Sequence, residues 1–125
     1  MTTSRRFSAR VLAALEEGKM LRIRAGLDHR FIGIWVVVVA GRVFVRSWND
    51  KPGGWYRAFL EEPRGAIEIA GREIPVRAKK TASERLMDGV EAAYEMKYTT
   101  PASLQYVQGF KRSRRRLTTM ELVPR

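Results

Sequence analysis

Residues 46 to 57 read Arg-Ser-Trp-Asn-Asp-Lys-Pro-Gly-Gly-Trp-Tyr-Arg, which gathers side chains that could do chemistry into one short stretch. Arg46, Lys51 and Arg57 bring positive charge, Ser47 and Asn49 bring hydroxyl and amide donors, and Trp48, Trp55 and Tyr56 bring flat apolar rings. Such donors suit an oxyanion, phosphate above all, and the free N–H groups of a helix beginning near Trp55 would add to them. The three rings could stack on a heteroaromatic compound. The same segment also fits a closely packed loop, with Trp55 anchored in the core and Arg57 at the surface. The residue types leave both open.

Little else in the chain offers catalysis. It has no cysteine, which excludes a disulfide scaffold, a thiolate metal site and a cysteine nucleophile. Its one histidine, His29, stands between Asp28 and Arg30 in a turn, as a solvated residue or a ligand contact. A histidine-rich zinc site or a two-histidine mechanism is impossible within one chain, so no metal is expected. Glu16/Glu17 and Glu61/Glu62 each close a predicted helix beside Gly or Pro and read as solvated charge. Neither a Gly-x-Gly-x-x-Gly nor a Gly-Lys-Ser/Thr nor a Gly-x-Ser-x-Gly motif occurs. Redox chemistry here would need a borrowed cofactor.

Charge is the other conspicuous property. Lys and Arg number 24 against 13 Asp and Glu, a formal net charge of +11. Lys111, Arg112, Arg114, Arg115 and Arg116 place five cations in six residues, and without them the excess is +6. The bias of 18 Arg to 6 Lys runs through the whole chain, so it can reflect base composition as well as guanidinium chemistry. The run fits a solvated loop, an anionic-ligand site, or non-specific contact with nucleic acid.

With 125 residues the chain suits one domain that buries roughly two thirds of its unfolded surface. The apolar run 31–41 is far shorter than the ~20 residues of a membrane-spanning helix. No apolar stretch follows Arg5, Arg6 and Arg10, so a secretory signal is not expected and a cytoplasmic protein is.

The elements that must position these residues follow from periodicity. Phe7, Val11, Leu12 and Leu15 share one helical face, with Ser8 as N-cap, a Phe7/Leu12 staple and Gly18 as a left-handed end. Leu21, Ile23 and Ala25 alternate with arginines as in a half-buried strand, followed by a turn at 26–28. Residues 31–39 are apolar at nearly every position and read as a central strand covered on both faces, paired through Ala40-Gly41 with a strand ending near Ser47. After the 49–54 loop a short helix spans 55–60, then a second hairpin turns at Gly71-Arg72 with Ile67, Ile69, Ile74 and Val76 facing in.

Thr81 and Glu84 form a capping box that opens a helix to Lys97, with Leu86, Val90, Ala93, Tyr94 and Lys97 on one face and Lys97 reaching solvent. Residues 98–109 carry no decisive period. Residues 117–123 suit a closing strand. Five or six strands in hairpins, with two long helices and a short one, favour an antiparallel sheet or barrel. The outer face of the doubly apolar strand needs a cover, from a helix of this chain or, as the stronger expectation, a second copy in a homodimer.

The order Ile34-Trp35-Val36-Val37, Val43-Phe44-Val45-Arg46-Ser47, Trp55-Tyr56-Arg57, then 93–98 as Ala-Tyr-Glu-Met-Lys-Tyr and 118–125 as Thr-Thr-Met-Glu-Leu-Val-Pro-Arg, resembles the uncharacterised bacterial family called domain of unknown function 2255. The likeness spans roughly residues 7–125. More distantly, the succession of hairpin, Ser, Gly-containing loop, Trp-Tyr, short helix, Pro and hairpin is similar to the FMN- and deazaflavin-binding split β-barrels related to pyridoxamine-phosphate oxidase.

That resemblance implies a mainly β fold, a six-stranded antiparallel split β-barrel with two to three flanking helices. The barrel would be a single domain over 1–125, with 1–6 and 108–116 flexible. It implies a homodimer with a cofactor cleft at the subunit interface. Arg30 and Trp35 would line that cleft, Arg46, Ser47, Asn49 and Lys51 would hold the cofactor phosphate, and Trp55 would pack beside the ring. The 49–54 loop departs from the longer, His-containing, glycine-rich stretch of deazaflavin-dependent relatives, and Arg57-Ala58 replaces their Asn-Leu.

Three functions are therefore in contention. The first is a binder of FMN, deazaflavin or a similar phosphate-bearing heteroaromatic cofactor, acting as an oxidoreductase if it is an enzyme. The second is a cofactor-free module for a small anionic or aromatic ligand. The third is non-specific nucleic-acid binding through the 111–116 run.

Overall fold

The Ser8 hydroxyl accepts a hydrogen bond from Val11 N at 3.2 Å and so starts α1, Ala9–Glu17, in a computed structural model that describes residues 6–125. The expectation for 1–6 lies, apart from Arg6, outside the described residues. Phe7, Val11, Leu12 and Leu15 all reach one core. Gly18 ends the helix with extended dihedrals (φ −74°, ψ 133°) rather than left-handed ones. Its need for glycine is one of space, since a Cβ there would lie 3.0 Å from Ala14 O, the acceptor of its own N–H.

Seven strands follow in one sheet: β1 Met20–Ala25, β2 Ile32–Trp35, β3 Val37–Val39, β4 Arg42–Val45, β5 Arg64–Ile69, β6 Arg72–Lys80 and β7 Met120–Pro124. All pairings are antiparallel, in the order β2-β1-β5-β6-β7-β4-β3. The closing strand expected near the C-terminus is β7, which sits between β6 and β4 and joins the two halves. Both hairpin turns, Ala40-Gly41 and Ala70-Gly71, hold an alanine and a glycine at positive φ, as tight two-residue turns require, so the second turns one residue earlier than the Gly71-Arg72 expected and Arg72 already begins β6.

The run read as one central strand is instead β2 and β3, the two terminal strands of the sheet, separated only by Val36. One continuous segment therefore meets both ends of the sheet and nearly closes it into a barrel. Counting that segment once returns six strands; its break at Val36 makes seven. Its apolar residues divide between two cores. Ile34, Val36 and Val38 pack in the barrel interior with Leu21, Ile23, Phe59, Ile67 and Leu122. Trp35, Val37 and Val39 point outward into a second core with Phe44, Val90, Tyr94 and Phe110. The cover over Trp35, Val37 and Val39 thus comes from helices of the same chain.

Five helices flank the sheet among the described residues, where two or three were expected. α2, Trp55–Glu61, is the short helix foreseen. α3, Glu84–Lys97, is capped by Ser83, whose Oγ accepts from Leu86 N, and not by Thr81. Thr81 is still bound to the sheet, its N–H donating to Thr119 O just beyond β6. α4, Pro101–Gly109, fills the stretch without a clear period, and α5, Ser113–Arg116, contains much of the basic run. Thr100 as N-cap with Pro101 at the first helical position is a start motif that the sequence displays.

Lys97 does not reach into solvent. Its Nζ donates to Leu15 O (2.7 Å) and Val36 O (2.8 Å), tying α3 to α1 and to the barrel break.

Candidate functional site

Where β2, the end of β4, the following loop, α2 and α4 converge, they enclose a cavity of about 410 Å³. Six of the seven residues singled out from the sequence border it: Trp35, Arg46, Ser47, Asn49, Lys51 and Trp55. Arg30 does not line it; it is exposed just ahead of β2. Two residues unforeseen from the sequence, Tyr106 and Phe110, complete the aromatic wall from α4. They stand four apart and would have shared a face had the helix been recognised.

Trp35 is held from behind. Its ring stacks on Tyr98 at 3.9 Å between centroids with the planes 4° apart, and Tyr106 meets it edge-on at 6.0 Å. Trp55 is the first residue of α2 and packs edge-on against Tyr56 and Phe59. Trp48 is clamped: the Arg115 guanidinium lies 3.5 Å from its ring centroid, with Tyr106 and Phe110 edge-on at 5.0 and 5.4 Å. Gly109 permits this packing, because a Cβ at that position would fall 2.3 Å from Trp48 Cη2.

Arg46, expected to hold the cofactor phosphate, has its guanidinium turned into the protein. Its side chain is 0% exposed, and it donates to Thr119 Oγ1 (2.7 Å), Phe110 O (2.8 Å), Met87 O (3.0 Å) and Glu91 Oε2 (3.3 Å). Burial pulls the guanidinium below its ordinary value, and the Glu91 charge opposes that. A guanidinium so engaged pins α3, the end of α4 and the start of β7 to the site.

The loop is fixed by hydroxyls. Ser47 N donates to Thr118 Oγ1 (2.8 Å), and Asp50 N donates to Ser47 Oγ (3.0 Å), which leaves the Ser47 O–H free to donate. Asp50 is neutralised by Arg57 at 3.0 Å. Among the described residues, the Asn49 carboxamide and the Lys51 ammonium have no side-chain partner and are exposed on the rim. Apolar, aromatic walls with a few unengaged donors at one edge are the composition of a site for a ring with a polar tail.

The basic run is largely accounted for within the chain. Arg116 pairs with Glu84, Asp88 and Glu91 along α3, which raises its pKa, and Lys111 pairs with Glu95. These four acids lie on one face of α3, at spacings visible in the sequence. Arg115 donates to Trp48 O and Gly109 O as well as covering the Trp48 ring. Arg112 and Arg114 have no acidic partner among the described residues.

Among the described residues no three His, Asp or Glu side chains are grouped to hold a metal ion, and no helix is long and apolar enough to cross a membrane. Solved structures share this fold. A proposed pyridoxamine 5'-phosphate oxidase from Listeria innocua superposes with TM-score 0.63 at 12% identity, covering 92% of this chain and 90% of that one. A conserved hypothetical protein from Mycobacterium tuberculosis gives 0.57 at 12% identity over 97% and 83% of the two chains. An FAD-binding protein from Mesorhizobium loti gives 0.55 at 11% identity over 98% and 92%. At such identities the likeness is one of fold. Among curated proteins none matches the sequence. Residues 12–122 match the family described as an uncharacterized protein conserved in bacteria, DUF2255, and the chain belongs to that family.

Proposed function

We propose that the cavity binds a flavin-type cofactor, FMN or deazaflavin, or a closely similar phosphate-bearing heteroaromatic compound, and that the protein is an oxidoreductase working through it. The observation that carries this reading is the cavity lined by Trp35, Trp55 and Tyr106 together with Ser47, Asn49 and Lys51. Its size lies within the range of about 300–1,000 Å³ usual for small-molecule sites. The fold it shares with a pyridoxamine-phosphate-oxidase-like protein and an FAD-binding protein supports the same reading.

The residues present fit such a group. Trp35, backed by Tyr98, offers a flat, rigid surface for a ring, while the Ser47 hydroxyl, the Asn49 amide and the Lys51 ammonium offer donors for a phosphate. A bound flavin would supply the hydride chemistry that this chain's own side chains lack. The protein's part is to bind, orient and exclude water. Trp35, Trp55 and Phe110 desolvate the ring, and Lys51 balances the phosphate charge.

A homodimer accompanies this proposal. Met20 and Ile32, 47% and 40% exposed, form an apolar edge beside the cavity mouth where a second copy would complete the cleft. Light scattering is expected to give a dimer; only a ~14 kDa species at micromolar concentration removes that part.

Titration with FMN, FAD and deazaflavin, followed by cofactor fluorescence and visible absorbance, tests the binding. Saturable quenching at or below tens of micromolar is expected. No response to any of the three sinks the proposal, and thermal stabilisation by anionic aromatic compounds alone would favour a cofactor-free binding module instead.

A further inference from the structure

A second cavity, of about 540 Å³, lies against the first, with residues 47–50 common to both linings. Its character is different. Arg112, Arg114 and Arg115, with Ser113 and Thr118, supply the other wall, and the only acid lining it is Asp50, which Arg57 neutralises. Arg112 and Arg114 carry charges that no carboxylate among the described residues answers, although every other cation of the run is engaged.

The segment common to the two cavities is anchored by its hydroxyls and backbone. Ser47 N and Ser47 Oγ are bonded as described above, and Thr118 Oγ1 donates onward to Arg115 O at 2.6 Å. One anchored segment therefore lines both an aromatic cavity and a basic one, in fixed relation.

A lone phosphate at Ser47, Asn49 and Lys51 would leave the basic cavity without an occupant, and that cavity holds far more than one phosphate group. We infer that the basic cavity receives the tail of the ligand whose ring sits in the aromatic cavity. The preferred ligand is then a heteroaromatic ring joined to a multiply anionic tail, a pyrophosphate or longer, over its monophosphate counterpart. This rests on the reading of the aromatic cavity given above, while the basic cavity can be probed separately. Guanidinium groups without acid partners are suited to it because they grip phosphate oxygens in pairs and stay charged at any working pH.

The test compares riboflavin, FMN and FAD on the wild-type protein and on the Arg112→Gln, Arg114→Gln double variant, with inorganic pyrophosphate as a ring-free probe. Both arginines are exposed, so the double variant should fold, which its melting temperature without ligand checks. Wild-type protein is expected to bind FAD at least tenfold more tightly than FMN. The variant should lose that preference and keep its riboflavin affinity. Equal affinity for FMN and FAD, or FAD binding untouched in the variant, overturns the inference while leaving the flavin reading in place.

If no flavin binds, the flavin reading fails and pyrophosphate decides the basic cavity. Stabilisation of wild-type protein but not of the variant supports it; no stabilisation overturns it. Binding of a DNA or RNA oligonucleotide more tightly than FAD, lost in the same variant, also overturns it, since the charges would then serve a polyanion with no ring in the cavity.

Discussion

Val36 N donates to Tyr98 Oη at 3.1 Å, and the same hydroxyl donates to Lys19 O at 2.5 Å, at the one residue where the segment crossing from β2 to β3 leaves the sheet ladder. Lys97 Nζ completes the arrangement on Val36 O. Two consecutive residues of α3 and its cap thus satisfy the backbone at the break that lets the barrel close. The Tyr98 ring then stacks on Trp35, so barrel closure and the cavity wall depend on one side chain.

Tyr98→Phe is expected to separate those duties. It strands the buried Val36 N–H, a loss of about 1–3 kcal/mol, but keeps the ring under Trp35. Denaturant unfolding should show the loss while FMN affinity stays near wild type. Tyr98→Ala should reduce both. Equal stability of Tyr98→Phe and wild type would contradict the assigned bond.

Arg46 and Lys51 should behave in opposite ways. Arg46→Met leaves the carbonyls of Met87 and Phe110 without their donor and should cost about 3–5 kcal/mol of stability, as breaking a buried charged network does. Lys51→Ala should change stability by less than about 0.5 kcal/mol and weaken FMN binding roughly tenfold or more, with riboflavin unaffected. A fully stable Arg46→Met that has lost FMN binding would return Arg46 to the ligand.

Gly109→Ala should displace Trp48, because the new methyl group meets ring carbons at 2.3 and 2.6 Å and α4 offers it no room. Overpacking of this kind costs about 1–3 kcal/mol. A shift in tryptophan emission together with weaker flavin binding is the expected pair of readouts. Unchanged emission would mean that Trp48 is not seated against α4.

The pH dependence of stability should bend twice. Burial lowers Lys97 from 10.5 to about 8, so between those values the unfolded chain holds a proton that the folded one has released, and stability rises with pH. Burial raises Tyr98 from 10.0 to about 12 and Tyr94 higher still, so above pH 10 the folded chain retains protons that the unfolded one loses, and stability falls. Each group contributes a slope of at most about 1.4 kcal/mol per pH unit. Lys97→Met should flatten the rise between pH 8 and 10 in denaturant titrations; an unchanged slope would show that Lys97 is solvated.

The Ser8 cap, the β1 alternation, the Ala40-Gly41 turn and the α2 start could be read from sequence because each is a local preference, decided by residues a few positions apart. The gathering of Ser47, Asn49, Lys51 and Trp55 was equally legible, since one loop and the first residue of the helix that follows it carry all four. The crossing of 32–39 was not. A run apolar on both faces looks the same whether it lies mid-sheet or joins two sheet ends, and only the pairings of β2 with β1 and of β3 with β4 distinguish them.

Long-range partners likewise decided the fate of charge. Arg46 and Lys51 are both cations beside one loop in sequence, but Arg46 is drawn inside by Glu91, Met87 O, Phe110 O and Thr119, all more than 40 residues away. In the basic run, α3 neutralises Lys111 and Arg116 and leaves Arg112 and Arg114 facing the second cavity. Residue type determined which groups could bind an anion; desolvation and partners brought together by the fold determined which of them remain available to do so.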